Sequence, residues 1–236
     1  MYTVTILFRI ALSIITGIIA GFSAIYTFNR IPPKWLCDYD QEPSHEMWGE
    51  RIGKKPWAVV FSLVFIAALL KLTEQGLLYA IPGLFCLWIL LLIGVADKKY
   101  MIIPDQFIIA LAVVSLGFIP FHDSFLSQLL GALIGGGSIL MIGIIGKLLF
   151  RKETMGFGDV KLFGVIGLIC GIEGIIIILM LTVFLSAIFF GFAVILGRIK
   201  MGEEQPLGPF ISAGTAAYVL FQNELLHLAG LYLSLF

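Results

Sequence analysis

"GLICGIEGIIIILM", Gly167–Met180, lies inside an apolar stretch that runs from Val160 to Gly197. Read as one helix, that stretch far exceeds the roughly 20 residues needed to cross a bilayer core about 30 Å thick. Gly171, Ile172, Glu173 and Gly174 offer a break. A glutamate in mid-bilayer is costly, and paired glycines end a helix readily. The reading is therefore two spans, about 160–171 and 174–197, with Glu173 in the turn between them.

The same length rule finds further candidate spans at about 5–28, 57–73, 78–96, 106–121, 125–148 and 208–234. The fold class is all-α: a polytopic membrane helix bundle of about eight transmembrane helices. Composition agrees. The chain is 60% hydrophobic and only 13% charged, against about 25% charged in a soluble domain. A mean hydropathy of +1.05 excludes a water-facing globule. Residues 1–56 read as the first transmembrane helix plus a polar loop, and 57–236 as the transmembrane core. Arg9 precedes a long apolar run with no small-residue cleavage site, so the first span reads as a retained helix.

Lysine and arginine set the orientation. With eight spans, all the basic residues except Arg9 and Lys71 fall on one side. The positive-inside rule makes that side cytoplasmic and puts both termini outside. An odd number of spans would scramble this segregation. The long polar segment Asn29–Pro56 becomes a cytoplasmic loop, with a short helix expected around Ser44–Arg51. "SHEM" (Ser44–Met47) gives that helix only a partial capping signal. Asp38 and Asp40 fall in the loop, and Asp123 in an outside turn. Formal net charge is zero and argues neither way about an acidic partner; no nucleic-acid partner is expected.

Cys86 and Cys170 lie in apolar runs and read as buried thiols, whereas Cys37 stands alone in the polar loop. There is no CxxC pair to support a zinc site or a disulfide framework. "LGALIGGGSILMIGIIG" (Leu130–Gly146) carries a GxxxG pair, Gly131 and Gly135. It reads as close packing within one bundle in preference to a homodimer interface. No repeat of fixed period suggests an inverted-repeat transporter.

Two acids then stand out. Asp97 closes a span in "LLIGVADKKYMIIPDQF" (Leu91–Phe107), and Asp159 opens one in "GFGDVKLFG" (Gly156–Gly164). Two crossings separate them, so the chain returns both to the same face. Paired carboxylates in a partly desolvated site share a proton, which leaves one base and one acid to activate water against a peptide carbonyl. Taken singly, each has a plainer reading: Asp159 as a helix cap, Asp97 as a partner for Lys98 or Lys99. Asp105, after Pro104, reads mainly as an N-cap. Gly156 and Gly158 bracket Phe157 and leave room for an extended peptide beside Asp159. Lys161 reads as a snorkelling interface lysine in preference to a support for the acids.

At these residues the chain resembles the type IV prepilin peptidases (peptidase family A24), membrane aspartyl proteases of the GxGD class. The resemblance rests on Asp97 followed by Pro104-Asp105, and on Gly156-Phe157-Gly158-Asp159-Val160-Lys161-Leu162. It extends to Pro206-Leu207-Gly208-Pro209-Phe210 and to "GFSAIYTFNRIP" (Gly21–Pro32), and so covers nearly the whole chain. It departs from many members in the first loop, where two CxxC pairs are replaced by Cys37 alone. With His45 and some acids that is a poor zinc site.

The resemblance implies cleavage of a basic leader from prepilin or pseudopilin precursors at the cytoplasmic face of the inner (plasma) membrane. Asp97 and Asp159 would be the catalytic dyad. Gly156, Phe157, Gly158, Lys161 and Asp105 are the expected substrate-binding residues. Glu42, Glu46 and Glu50 are candidate attractors for the leader. No cofactor or metal is expected; S-adenosylmethionine would enter only with a retained N-methyltransferase activity. The rival readings are a small ion-coupled transporter, a structural component of a secretion system, and a presenilin-like or archaellin-type protease. The spacing from Asp97 to Pro104-Asp105 favours the prepilin branch over the last of these.

Overall fold

The computed structural model describes residues 2–37, 40–122, 124–151, 155–200, 203 and 205–234. Asp38, Asp123 and Lys152 lie outside the described residues. Among the described residues there are eight α-helices and no strand: α1 Tyr2–Arg30, α2 Trp57–Leu72, α3 Leu77–Tyr100, α4 Asp105–Ser115, α5 Phe125–Phe150, α6 Phe157–Ile195, α7 Gly208–Leu220 and α8 Gln222–Leu233. Five stretches are long and apolar enough to cross a membrane: Ile6–Arg30, Trp57–Gln75, Leu77–Tyr100, Phe125–Leu149 and Phe157–Ile195; a shorter apolar one covers Asp105–Phe121. Large apolar side chains face outward as well as inward. Leu78 is 80% exposed, for example, while Leu90 is 1% exposed. Such an outer surface suits lipid rather than water.

The 39 residues of α6 would make a straight rod of roughly 58 Å, about twice the thickness of a bilayer core. The rod is broken at Gly171, where φ 67 and ψ −169 leave the helical region. A Cβ placed on Gly135 of α5 would touch both Phe163 and Ile175. The chain therefore turns back at Gly171, and the two halves of α6 run antiparallel. The second half descends along α7, with Gly174 on Tyr218, Thr182 beside Gly214, and Phe189 and Phe190 on Phe210. Glu173 is exposed at the turn, as the sequence demands. The expected 208–234 span is different. It divides at Phe221 (φ −124, ψ 34) into α7 and α8. Gln222, Asn223 and Glu224 start α8 with polar groups, and Glu224 pairs with Lys71 at 2.6 Å.

Glycine sets two of the helix contacts. A Cβ on Gly131 would lie 2.6 Å from the Gly167 carbonyl oxygen, so α5 and α6 touch backbone to backbone. The Gly131–Gly135 face thus meets α6 of the same chain. Gly17 and Gly21 do the same for α1, against Ile66 and Ser62 of α2.

The polar loop is tied down by one arginine. Arg51 is 7% exposed. Its guanidinium donates to the carbonyls of Met47 (2.7 Å), Phe28 (2.7 Å) and Ile31 (2.6 Å). The Phe28 carbonyl is an unpaired acceptor at the end of α1, and Ile31 lies just beyond it, so a cation suits the place. Asn29 completes the staple: its side-chain oxygen accepts from the N–H groups of Arg51 and Ile52, each at 2.9 Å. Lys99 of α3 donates to the Arg51 carbonyl. The helix expected around Ser44–Arg51 is only the 3₁₀ turn His45–Met47, because the chain leaves it to deliver Arg51 to these carbonyls. Arg51→Ala would strand three carbonyls and is expected to cost about 3 kcal/mol. A lower melting temperature would check this, with Arg51→Lys restoring part of the loss.

Candidate active site

The site begins where α3 stops. Met101 takes the left-handed conformation (φ 55, ψ 36), and its N–H donates to the Asp97 carbonyl at 2.8 Å. This closes the helix and leaves Asp97 in its last turn, 6% exposed. The Asp97 carboxylate is held from across the bundle: Oδ2 accepts the Gly208 N–H at 2.7 Å. Gly208 is the first residue of α7, so its N–H is one of the unpaired donors at a helix start, and the positive end of the α7 dipole points at Asp97. A Cβ at position 208 would lie 2.8 Å from both the Cβ and Oδ2 of Asp97. Glycine alone permits this approach.

Asp159 sits in the first turn of α6, three residues after the N-cap Gly156. Its N–H donates to the Gly156 carbonyl at 3.1 Å, and its Oδ2 lies 3.5 Å from where a Cβ on Gly156 would stand. No side-chain hydrogen bond caps the start of α6, so the carboxylate lies in the first turn without closing it. A Cβ on Gly158 would come 3.1 Å from the Ile103 Cβ. The start of α6 is thereby packed on the corner between α3 and α4, which brings the two aspartates to one end of the bundle. Each carboxylate is met by a helix N-terminus, an arrangement that supports negative charge away from bulk water.

Lys161 and Asp105 differ from expectation. Pro104 holds the N-cap position of α4 and offers no side-chain cap. Asp105 instead receives the Lys161 ammonium on both carboxylate oxygens, each at 2.8 Å. Lys161 is thus bound across to α4 rather than snorkelling free, and its ammonium lies 5.2 Å from the centre of the Phe157 ring. The pair fastens the start of α6 to the start of α4. The two side chains are 35% and 29% exposed, so a coupling energy of about 1 kcal/mol is expected. A double-mutant cycle with Lys161→Ala and Asp105→Ala, read by thermal unfolding, measures it. Phe157 is 65% exposed, available to a ligand at the same end.

Cys37 directs its thiol to the carbonyls of Gln41 (3.5 Å) and Lys34 (3.7 Å). Among the described residues no three His, Cys, Asp or Glu side chains converge. Glu42, Glu46 and Glu50 are all exposed.

An all-helical bundle with an outward apolar surface defines a class, a multi-pass membrane protein, here with two aspartates at helix ends on one side. Residues 84–195, which include Asp97 and Asp159, match the model of the type IV leader peptidase family. The leader peptidase HopD of Escherichia coli is 33% identical over 148 residues, 60% of this chain and 90% of that protein. The prepilin leader peptidase/N-methyltransferase of Bacillus subtilis (strain 168) is 27% identical over 154 residues, 61% of this chain and 57% of that one. Its namesake from Aeromonas salmonicida (strain A449) is 28% identical over 138 residues, 56% and 46%. The chain belongs to the type IV leader peptidase family. It spans about half the length of the first two-activity relatives it matches. No solved structure matches it significantly.

Proposed function

We propose that this protein is a membrane-embedded aspartyl endopeptidase that removes the basic leader from type IV prepilin-like precursors. The observation that carries the reading is the placement of Asp97 and Asp159 at one end of the bundle, each at a helix terminus. The names of the relatives supply the substrate class. In the proposed reaction one carboxylate takes a proton from water while the protonated partner polarises the scissile carbonyl. The coupled pair acts as a unit, and neither role is assigned to one residue. Gly156 and Gly158 give the peptide room to lie against the backbone, with Phe157 beside it. Asp105 and Lys161 hold that wall in place rather than reacting.

The site faces the cytoplasm in this proposal, in the inner membrane, with eight crossings and both termini outside. The supporting features are the two antiparallel halves of α6 and the concentration of lysine and arginine at the Asp97 end. An apolar precursor segment would be confined to the membrane plane, its leader beside the aspartates. N-methyl transfer is left outside the proposal. Reconstitution with a prepilin, followed by the loss of its leader on a gel, tests the function. An intact precursor after prolonged incubation with the wild-type protein would overturn it.

A further inference from the structure

A groove of 860 Å³ runs between α2, α3 and α7, from Trp57 and Lys98 at one end to Lys71 and Phe221 at the other. Its walls are small and apolar, with Ala68 on α2, Gly94 on α3, and Ala213 and Ala216 on α7. Ser212 and four basic residues, Arg51, Lys71, Lys98 and Lys99, also line it. Lys98 is exposed at the mouth and has no hydrogen-bond or ion-pair partner among the described residues. Ser212 also lines the groove, is 8% exposed, and has a buried hydroxyl with no partner. A Cβ on Gly94 would lie 3.5 Å from that hydroxyl, and Gly94 is one helical turn, about 5.4 Å, before Lys98 on α3. The order inward is a cation, then an orphan hydroxyl one turn deeper, then apolar walls.

We propose that this groove binds one anionic phospholipid. Its phosphate meets Lys98, an ester carbonyl accepts the Ser212 hydroxyl, and the acyl chains follow the apolar walls towards Phe221. The 860 Å³ of the groove falls within the roughly 300–1,000 Å³ of small-ligand sites. Charge decides the direction and the ligand. Lys71 at the far end is neutralised by Glu74 and Glu224, so the headgroup belongs at Lys98, where a basic leader would be repelled. Pro209 lines the groove and adjoins Gly208, which holds Asp97. The lipid therefore sits one residue behind the Asp97 wall, whatever reaction that site performs.

The full chain would be equilibrated with mixed phosphatidylglycerol and phosphatidylcholine vesicles, repurified, and its bound lipid counted by mass spectrometry. The expected result is retained phosphatidylglycerol, undisturbed by inorganic phosphate. Lys98→Ala should lower the preference about fivefold, and Lys98→Arg should restore it. Ala213→Trp should remove retained lipid of both kinds, while Leu63→Trp, on the outer face of α2, should leave retention unchanged. Circular dichroism melts identify folded variants. Equal retention of the two lipids, or a preference indifferent to Lys98, would overturn the proposal. So would an Ala213→Trp protein that keeps its lipid but no longer binds a membrane-anchored precursor, since the groove would then seat a helix.

Discussion

Asp97→Asn and Asp159→Asn are each expected to bring leader cleavage to background, a loss of about 10²- to 10⁴-fold. Asparagine is the informative replacement because it keeps the shape of the side chain and an oxygen that can accept the Gly208 N–H. The fold should survive, and a melting curve close to wild type would show it. The double replacement should be no worse than either single one, because residues that act as a unit are not additive. Full cleavage by either single variant would remove the dyad from the proposal. Loss of cleavage accompanied by unfolding would instead give these aspartates a structural role.

The second large effect is expected far from the aspartates. A Cβ added at Gly167 would overlap the carbonyl of Gly131 and the Ala132 backbone nitrogen. Backbone cannot rotate out of the way as a side chain can, so Gly167→Ala must separate α5 from α6. The expected cost is about 3 kcal/mol, the upper range for overpacking, measured as a drop in melting temperature in detergent. Gly137→Ala on α5 has nothing within 4 Å of the added carbon and should be neutral or slightly stabilising. Because α6 carries Asp159, the Gly167 variant should also lose cleavage, in step with the fraction unfolded. Equal melting temperatures for the two variants would contradict this account of the α5–α6 contact.

What the sequence made legible was mostly local. Gly171 and Glu173 marked the turn in α6 because a buried acid and a helix longer than the bilayer are both costly in lipid. Asp97 and Asp159 emerged because each lies at the edge of an apolar run, where periodicity stops. Contacts between distant segments left weaker traces. Pro206–Phe210 stood out only by resemblance, and nothing local said that the Gly208 N–H reaches Asp97. Arg51 was counted as one of many loop cations, yet it is buried on carbonyls at the end of α1. Asp105 after Pro104 has the local form of a cap, but Lys161, an ion-pair partner from another helix, claims it. Gly17 and Gly21 are a small-residue pair with the same local signal as Gly131 and Gly135, and they set the α1–α2 contact. Phe221 gave no sign of a break because the polar residues after it also fit the end of a span.

The pH dependence of leader cleavage by the wild-type protein tests the paired-carboxylate claim most directly. The mechanism needs one carboxyl ionised and its partner protonated. Below the working range the base is protonated and the rate falls; above it the acid is ionised and the rate falls again. A bell-shaped profile, flattened to background in both Asp97→Asn and Asp159→Asn, is the predicted result. A rate that climbs steadily into alkaline solution, or a profile left unchanged by either substitution, would contradict it.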